Sequence, residues 1–271
     1  MREISVRTVG LCFAVLRFSK LSLSTAAVAL VTSAALAADD VAASAHDWSG
    51  FYLGVFGSVA AGQANIDGTI YNDGPAGHGP ELLAEVNALN DFPFTDTMAG
   101  YGIQAGYNVQ LDNIMLGIQA DLGALNLNGS AEASGSVLGV NFVVRNSFNA
   151  DWLLTLRPRV GLRASDNLLI YASGGLALSS IEFSHEYLSN FAGVITEGFS
   201  ESYVRAGWVV GAGIEYALDE NWSLGAEYLY TDLGSISETR RVTYGAPIDT
   251  LFENELDLSA HALRTSVNYR F

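Results

Sequence analysis

The stretch VVGAGIEYALDENWSLGAEYLYTDLG, residues 209–234, contains two apolar, glycine-rich runs on either side of a polar turn at 219–221. In both runs apolar and polar residues alternate with a period of two, which is typical of a β-strand with one apolar face. The apolar face keeps its parity across the turn, as a three-residue connection that pairs Leu218 with Trp222 requires. This stretch therefore predicts a β-hairpin.

Each run of the hairpin carries one carboxylate on the face opposite to the apolar one, Glu215 before the turn and Glu227 after it. A buried carboxylate without a partner is costly, so both side chains need cations if that face is enclosed. The predicted register sets Glu215 opposite Gly225 and Glu227 opposite Gly213. Glycine at both positions leaves room for a guanidinium, whose planar fork suits carboxylates.

The same alternation recurs along the chain and predicts eight strands in all. They are residues 50–62, 101–111, 114–122, 152–162, 168–180, 206–218, 222–231 and 259–271. Short polar connections at 112–113, 164–167 and 219–221 alternate with long ones at 63–98, 127–149, 185–202 and 237–258. All long connections therefore lie at one end of the sheet. The predicted fold class is all-β, an eight-stranded antiparallel transmembrane β-barrel with short periplasmic turns and long extracellular loops.

A soluble secreted barrel or sandwich is the alternative, because it also alternates and can contain eight strands. Three features favour the membrane: strand lengths near the roughly 9–11 residues of a tilted crossing, charges in the middle of the polar face, and aromatic residues near strand ends, as in interfacial girdles. These aromatic residues are Trp48, Phe51, Trp152, Trp208, Trp222, Tyr228, Tyr230, Tyr269 and Phe271.

With the apolar face toward lipid, a set of charged residues points into the barrel. They are Asp121, Arg157, Arg159, Arg163, Arg205, Glu215, Glu227, Arg264 and Arg270. Eight strands enclose only enough space for side chains to fill, so these charges need to pair with one another. We expect Glu215 and Glu227 to share an arginine from across the lumen, with Arg157 and Arg264 as first candidates. The result is a plugged lumen, and a conducting lumen is the alternative.

The N-terminus predicts export. Four basic residues precede an apolar stretch that ends in Ala35-Leu36-Ala37, which resembles a signal-peptidase site. We predict a signal peptide over 1–37, cleaved after Ala37 or Ala38, a short periplasmic segment over 38–47 and the barrel over 48–271. An uncleaved membrane anchor is the alternative. Cleavage would leave 9 basic and 28 acidic residues and no cysteine, a balance that argues against nucleic acid as a partner.

Two end motifs carry a family resemblance. The start Trp48-Ser49-Gly50-Phe51-Tyr52-Leu53-Gly54 and the alternation Leu263, Val267, Tyr269, Phe271 at the C-terminus resemble those of the porin-like, eight-stranded outer-membrane β-barrel family of Gram-negative bacteria, often labelled outer-membrane immunogenic proteins. The resemblance implies that the C-terminal series is the signal read by the barrel-assembly machinery. It also implies an abundant envelope protein without catalysis, in the cell outer membrane.

The sequence offers little for catalysis or metal binding. Among the four histidines, His185, next to Glu186, together with His261 is the only loose constellation, and neither a G-x-S-x-G nor an H-E-x-x-H motif occurs. We predict no enzyme activity, no cofactor and no metal ligands. The acidic long connections predict a solvated surface, with a divalent cation as the alternative. Residues 80–90 predict a short helix over the barrel mouth, with Pro80 in its first turn.

The predicted function is therefore structural. The barrel occupies the lipid bilayer, meets lipopolysaccharide with its outer loops, contributes to envelope integrity and has a lumen plugged by charged residues. A narrow passive porin for small solutes is the first alternative, and a loop-borne adhesin or ligand receptor is the second. The sequence identifies no extracellular ligand.

Overall fold

The computed structural model describes residues 46–72, 79–88, 90–137, 139–190, 195–243 and 249–271. These residues contain one helix and eight strands: β1 (Gly50–Asn72), α1 (Pro80–Ala88), β2 (Phe92–Leu111), β3 (Ile114–Val137), β4 (Val140–Ser165), β5 (Leu168–Ser189), β6 (Ile195–Ala217), β7 (Trp222–Thr243) and β8 (Asp249–Arg270). Each strand pairs antiparallel with the next, and β8 pairs with β1. The predicted eight-stranded closed barrel is confirmed. The predicted signal peptide lies outside the described residues.

The three short connections form where the polar residues predicted them. Asp112 adopts a positive φ of 54° in the two-residue turn between β2 and β3, a conformation that Asp and Asn tolerate better than most residues. In the hairpin of residues 209–234, the backbone N–H of Leu218 donates to the carbonyl of Trp222 at 2.8 Å. This bond fixes the predicted register, with Glu215 opposite Gly225 and Glu227 opposite Gly213.

The half of the barrel next to the short turns, hereafter the turn half, carries large apolar side chains on its outer surface. The exposed ones include Leu53, Val55, Val59, Tyr101, Ile103, Tyr107, Ile118, Leu122, Leu156, Val160, Leu176, Val210, Leu224 and Leu263. Such a continuous apolar face is suited to lipid rather than water. Among the described residues, no helix is long and apolar enough to cross a membrane.

The strands are much longer than predicted, at 20 to 26 residues. They run through most of the residues that were expected to form long loops, and we call these parts the extension. In β1, even-numbered residues face inward along the whole strand. Beyond Gly62, however, the inward residues become apolar, as at Ile66, and the outward ones polar, as at Asp67. The alternation continues with reversed polarity, because water replaces lipid outside.

The extension is organised as two facing sheets. The β2–β3 ladder runs from the turn only to Gly102 opposite Gly123, and the β6–β7 ladder only to Trp208 opposite Asp232, among the residues that the structure describes. Beyond these points β3 to β6 form one sheet, and β7, β8, β1 and β2 form the other. Buried apolar side chains between the two sheets form the outer core. Its members include Ala64, Ile66, Met98, Leu127, Phe148, Ile181, Phe183, Leu256 and Leu258.

The helix α1 closes the outer end. Leu82 and Val86 are buried on its inner face and pack in a cluster with Ile70 and Phe252. The side-chain amide of Asn87 accepts from the backbone N–H of Ile70 at 2.6 Å and donates to its carbonyl at 3.2 Å, so it imitates a neighbouring strand. The predicted helix is confirmed over Pro80–Ala88, and Leu89, within the predicted range 80–90, lies outside the described residues.

Candidate functional site: the barrel lumen

Arg157 on β4 is the centre of a buried charged cluster in the turn half. Its guanidinium donates to Asp121 at 2.9 Å and to both carboxylate oxygens of Glu227, at 2.8 and 3.2 Å. It also donates to the hydroxyls of Thr155 and Ser173. The side chain is completely buried. Five donors in a rigid fork allow one arginine to join two carboxylates in this way.

Arg159, two residues along the same face of β4, forms a second ion pair with Glu215 at 2.9 Å. It also donates to the hydroxyl of Tyr52 at 2.7 Å, and its guanidinium lies 3.9 Å from the centroid of the Tyr171 ring. Glu215 accepts further bonds from Ser223 and Asn268. The expectation that Glu215 and Glu227 share one arginine is therefore wrong, because each of two inward arginines on β4 reaches a different carboxylate.

Arg264 on β8 completes the cluster. It donates to Asp121 at 3.0 Å and lies 3.8 Å from Glu227, which faces it on the neighbouring strand. Its guanidinium carbon Cζ lies 3.6 Å from the centroid of the Phe56 ring. Three carboxylates and three arginines are thus enclosed together without net charge. When buried charges are paired and hydrogen-bonded to one another, removal of one partner strongly destabilises the fold, because it leaves the other charge buried without compensation.

Three arginines that were expected in this cluster lie elsewhere. Arg163 lies at the turn end of β4 and donates to the side chain of Asn113 at 2.9 Å. Arg270 lies at the end of β8 and bonds to the ring of His46 and to the carbonyl of Glu220. Arg205 lies in the extension, opposite Ser179 on β5. The parity of a strand predicts which wall a residue faces, but not the height at which it lies in the lumen.

The segment before β1 closes the turn end. Trp48, expected in an interfacial girdle, is instead 1% exposed and packs inside the barrel mouth with Met115, Leu169 and Tyr171. Its backbone N–H donates to Gln110 at 2.8 Å. Burial, reinforced by the nearby guanidinium of Arg270, lowers the pKa of the neighbouring His46 to about 4. The ring of Trp48 is large and lies where the chain first enters the barrel. It therefore fills the opening at the turn end instead of lying in an interfacial girdle.

The outer core fills the lumen on the other side of the charged cluster. A cavity of about 50 Å³ remains between them, lined partly by Phe56, Met98 and Arg264. A cavity measured in this way needs about 10–15 Å³ to hold one water molecule, so this space is large enough for a few waters.

A chain of buried, hydrogen-bonded polar side chains connects the segment after α1 to the strands of the extension. His185 Nδ1 lies 2.6 Å from the Asn146 side-chain oxygen, Asn146 donates to Asn90 at 3.3 Å, and Asn90 donates to Asn254 at 3.4 Å. Burial alone lowers the pKa of His185 to about 4. The imidazole is therefore neutral at pH 7. Four segments of the chain meet at this point.

The loose histidine constellation does not come together. His185 faces the outer core, whereas Glu186, the next residue, faces outward and binds Arg145. His261 lies on the outer surface and bonds to the hydroxyl of Tyr228 at 2.6 Å. Among the described residues, no group of three or more His, Cys, Asp or Glu side chains is placed to hold a metal ion.

The sequence reasoning missed the neutral polar residues that complete the cluster. These are Tyr52, Gln104, Gln119, Thr155, Ser173, Ser223 and Asn268. All lie on the inward face of their strands, so the parity that selected the charged residues would have selected them as well. They supply hydrogen bonds that the ion pairs alone leave unmade.

The two ends of the barrel wall meet at the proposed assembly signal. The backbone N–H of Phe271 donates to the carbonyl of Phe51 at 3.1 Å, and the two rings lie 5.7 Å apart. Leu263, Val267 and Phe271 are exposed on the outer surface, while Tyr269 packs against Trp222 at 5.1 Å. The C-terminal series thus forms part of the lipid-facing surface.

The chain is similar to known outer-membrane proteins. Residues 23–271 match the family described as outer membrane protein β-barrel domain. The chain is 32% identical over 227 residues to the 31 kDa outer-membrane immunogenic protein of Brucella melitensis, which covers 83% of this chain and 84% of that one. It is 28% identical over 191 residues to the 22 kDa outer membrane protein of Rhizobium leguminosarum bv. viciae, with 70% and 67% covered. The solved structure of OprG from Pseudomonas aeruginosa is 13% identical, with a TM-score of 0.44 and 83% and 98% covered.

Proposed function

The chain belongs to the family of outer membrane protein β-barrel domains and lies in the cell outer membrane, and from this premise we propose that it is a structural, non-conducting protein that contributes to envelope integrity. The observation that carries the proposal is the filling of the lumen along its axis. Trp48 and its neighbours fill the periplasmic mouth, the arginine–carboxylate cluster fills the middle, and the outer core and α1 fill the rest.

The narrow porin is the competing function. A porin needs a water-filled path through the barrel, whereas here each ion-pairing arginine in the middle of the lumen is held by several hydrogen bonds. The apolar outer core adds a second barrier, since ions do not cross a dry apolar layer without a large desolvation cost. Both features favour the structural function.

The partners follow from the surface. The exposed apolar side chains of the turn half contact the lipid bilayer, and we propose that the extension contacts lipopolysaccharide above it. We further propose that the barrel-assembly machinery reads the C-terminal series Leu263, Val267, Tyr269 and Phe271. We propose no catalytic function, because the relatives named above are described as outer-membrane or immunogenic proteins. In addition, His185 faces the outer core whereas His261 lies on the outer surface.

Single-channel recording tests the proposal. The mature protein is refolded, its heat-modifiable migration is checked to establish barrel formation, and its conductance is measured in a planar bilayer. We expect a folded and electrically silent protein. Reproducible conductance steps that change in Glu215→Gln or Glu227→Gln would overturn the plug and favour the narrow channel.

A strain that lacks the protein tests the contribution to the envelope. We expect greater sensitivity to detergents and to large antibiotics that an intact outer membrane excludes, and recovery on complementation with the wild-type chain. A deletion strain with an unchanged permeability barrier would contradict the structural function.

A further inference from the structure

The outer face of the extension carries an open groove of about 360 Å³ across β3, β4 and β5, hereafter the polar groove. Its outward side chains are Asn128, Ser130, Ser147, Asn149, Glu182 and Ser184. They alternate along the strands with buried members of the outer core, such as Leu127 and Phe183, and therefore point away from that core. The volume lies within the range of small-ligand sites, about 300–1,000 Å³.

Strand pairing arranges these side chains in two rows across the sheet. The row nearer to the membrane consists of Asn128, Asn149 and Glu182, which lie opposite one another. The row two residues further out consists of Ser130, Ser147 and Ser184. Beyond it, the longer side chains of Glu132, Arg145 and Glu186 form a third row. Short polar side chains thus lie below a rim of long ones.

The hydrogen bonds in the polar groove leave both donors and acceptors available. Ser200 on β6 donates to Glu182 at 3.0 Å, and its hydroxyl lies 2.7 Å from that of Ser184. Because a serine hydroxyl has one proton, Ser184 is the donor of the second bond. The other carboxylate oxygen of Glu182 remains as an acceptor. The side chains of Ser147 and Asn149 form no hydrogen bond with residues that the structure describes, so they offer donors as well as acceptors.

The polar groove lies directly above the lipid-facing surface. On the outer face of β6, Ser202 is followed by Val204, which is 71% exposed. On β4, Asn149 is followed by Trp152 and then by the exposed Leu154, and tryptophan is typical of the membrane–water interface. At this height, the saccharide part of an outer-leaflet glycolipid leaves the headgroup region and enters the water.

The charge of the polar groove disfavours an anionic ligand. Among the described residues that line it, Glu182 is the one charged side chain, and Arg145 in the adjacent row already binds Glu132 and Glu186. A phosphate or carboxylate would therefore be repelled without a cation to offset the repulsion. Sugar hydroxyls both donate and accept, as the carboxylate, amide and hydroxyl groups of the groove require. The chemistry fits a neutral sugar.

We propose that the polar groove binds a neutral sugar in the saccharide part of lipopolysaccharide. Sugar hydroxyls donate to Glu182 and exchange hydrogen bonds with Ser147 and Asn149. The inference rests on the proposed function, since it names the surface and the ligand chemistry for the contact between the extension and lipopolysaccharide. It places that contact on the outer face of a sheet rather than in a loop.

Titration with two glycolipids tests the groove. The refolded full chain in phosphatidylcholine nanodiscs is titrated with lipopolysaccharide that carries a neutral hexose oligosaccharide and, separately, with diphosphoryl lipid A, which lacks that oligosaccharide. Bound lipid is counted by native mass spectrometry. We expect the wild type to bind the oligosaccharide-bearing form about tenfold more tightly, which is the scale of one or two hydrogen bonds.

Three variants locate the preference for the sugar. Ser147→Ile fills the groove with a β-branched side chain that suits a strand, and it should abolish the preference. Glu182→Gln keeps the size of the side chain but removes its charge, and it should reduce the preference about threefold. Ser237→Ile is the matched control, because Ser237 is an exposed serine on β7 in the other sheet, and it should bind as the wild type does. Heat-modifiable migration establishes that each variant is folded.

The outcomes separate the groove from the function. A preference unchanged in Ser147→Ile and Glu182→Gln, or equal binding of the two glycolipids by the wild type, would overturn the groove and leave a contact with lipid A. Binding of neither glycolipid would overturn the contact with lipopolysaccharide as well. The oligosaccharide released from the same lipopolysaccharide should bind more weakly than the intact molecule, since it lacks the membrane anchor that concentrates it at the groove. Equal binding would make the groove a receptor for a soluble sugar and overturn the assignment to lipopolysaccharide.

Discussion

The carboxylate of Glu227 on β7 and the guanidinium of Arg157 on β4 meet across the lumen through hydrogen bonds of 2.8 and 3.2 Å, although 70 positions separate them in the chain. Arg264 faces Glu227 directly on the neighbouring strand, yet its shorter ion pair, at 3.0 Å, is with Asp121. For Arg264, the pair across the lumen is therefore shorter than the pair with the neighbouring strand, whereas Arg157 pairs both across the lumen with Glu227 and with Asp121 on the neighbouring β3. The opposite walls of the barrel are held together by charge.

The first prediction concerns the coupling between Arg157 and Glu227. A double-mutant cycle with Arg157→Met and Glu227→Gln should give a coupling energy of about 1–3 kcal/mol, because the two groups are buried and in direct contact. Arg157→Met alone should cost about 3–5 kcal/mol, since it leaves two carboxylates without their main partner. Urea unfolding in lipid vesicles gives the free energies.

The exposed pair Arg145 and Glu132 supplies the control cycle. Both side chains are about half-exposed, and an exposed ion pair couples only weakly because water and salt screen it. A buried coupling no larger than this surface coupling would contradict the idea that the cluster holds the walls together.

The second prediction concerns a close approach in the lumen. A Cβ at Gly106 would lie 2.4 Å from the ring carbon Cζ of Tyr52, and that ring is fixed because its hydroxyl bonds to Gln119 and Arg159. Gly106→Ala should therefore destabilise the barrel by about 1–3 kcal/mol through overpacking. Gly57→Ala, where nothing lies within 4 Å, should change stability by no more than about 0.5 kcal/mol. Equal effects in the two variants, measured by urea unfolding, would rule out the overpacking.

The third prediction concerns pH and His185. Burial lowers the pKa of His185 to about 4 in the folded state, below the ordinary value of about 6.5 in the unfolded chain. Between these values the unfolded chain binds the proton and the folded one does not, so stability is complete above pH 6.5 and falls as the pH drops toward 4. The loss from this group should be about 3 kcal/mol.

The measurement is the free energy of unfolding against pH in a His46→Gln background, because His46 has a similarly lowered pKa. His185→Gln in that background should remove most of the remaining slope between pH 6.5 and 4. A slope that persists unchanged in the double variant would assign the pH dependence to other groups.

The fourth prediction concerns the plug at the periplasmic mouth. Trp48→Ala should destabilise the protein by about 3–5 kcal/mol, as expected for truncation of a buried aromatic side chain. The variant should stay electrically silent in a planar bilayer, because the charged cluster and the outer core still fill the lumen. Trp222→Ala, at an exposed position, should cost less. A conducting Trp48→Ala variant would make the N-terminal segment the main seal.

The turn half of the barrel was predictable from the sequence because its residues obey a local rule. Alternation with a period of two marks each strand between Gly50 and Phe271, and polar residues such as Asp112 and Asn113 mark the turns. The hairpin register that pairs Leu218 with Trp222 followed from the same rule. Because lipid lies on one side of each strand and a narrow lumen on the other, the apolar face of the strand must point outward.

The extension was missed because the same alternation continues there with the opposite polarity. Inward residues such as Ile66 and outward ones such as Asp67 fit a strand between a dry core and water, yet a rule that expects apolar side chains on the outside assigns them to a loop. The strand persists because the second sheet covers its apolar face. That cover is a tertiary contact.

The sequence by itself determined the number of strands, which side of each strand points inward, and the concentration of charged residues inside the turn half. Only the tertiary structure decided that Arg157 binds Asp121 and Glu227 and that Arg159 binds Glu215. It also decided that Arg205 lies outside the charged cluster. The physical reason is that closure of the barrel fixes the stagger of all eight strands at once. That stagger sets the height of each side chain in the lumen, and partners across the lumen are far apart in the chain.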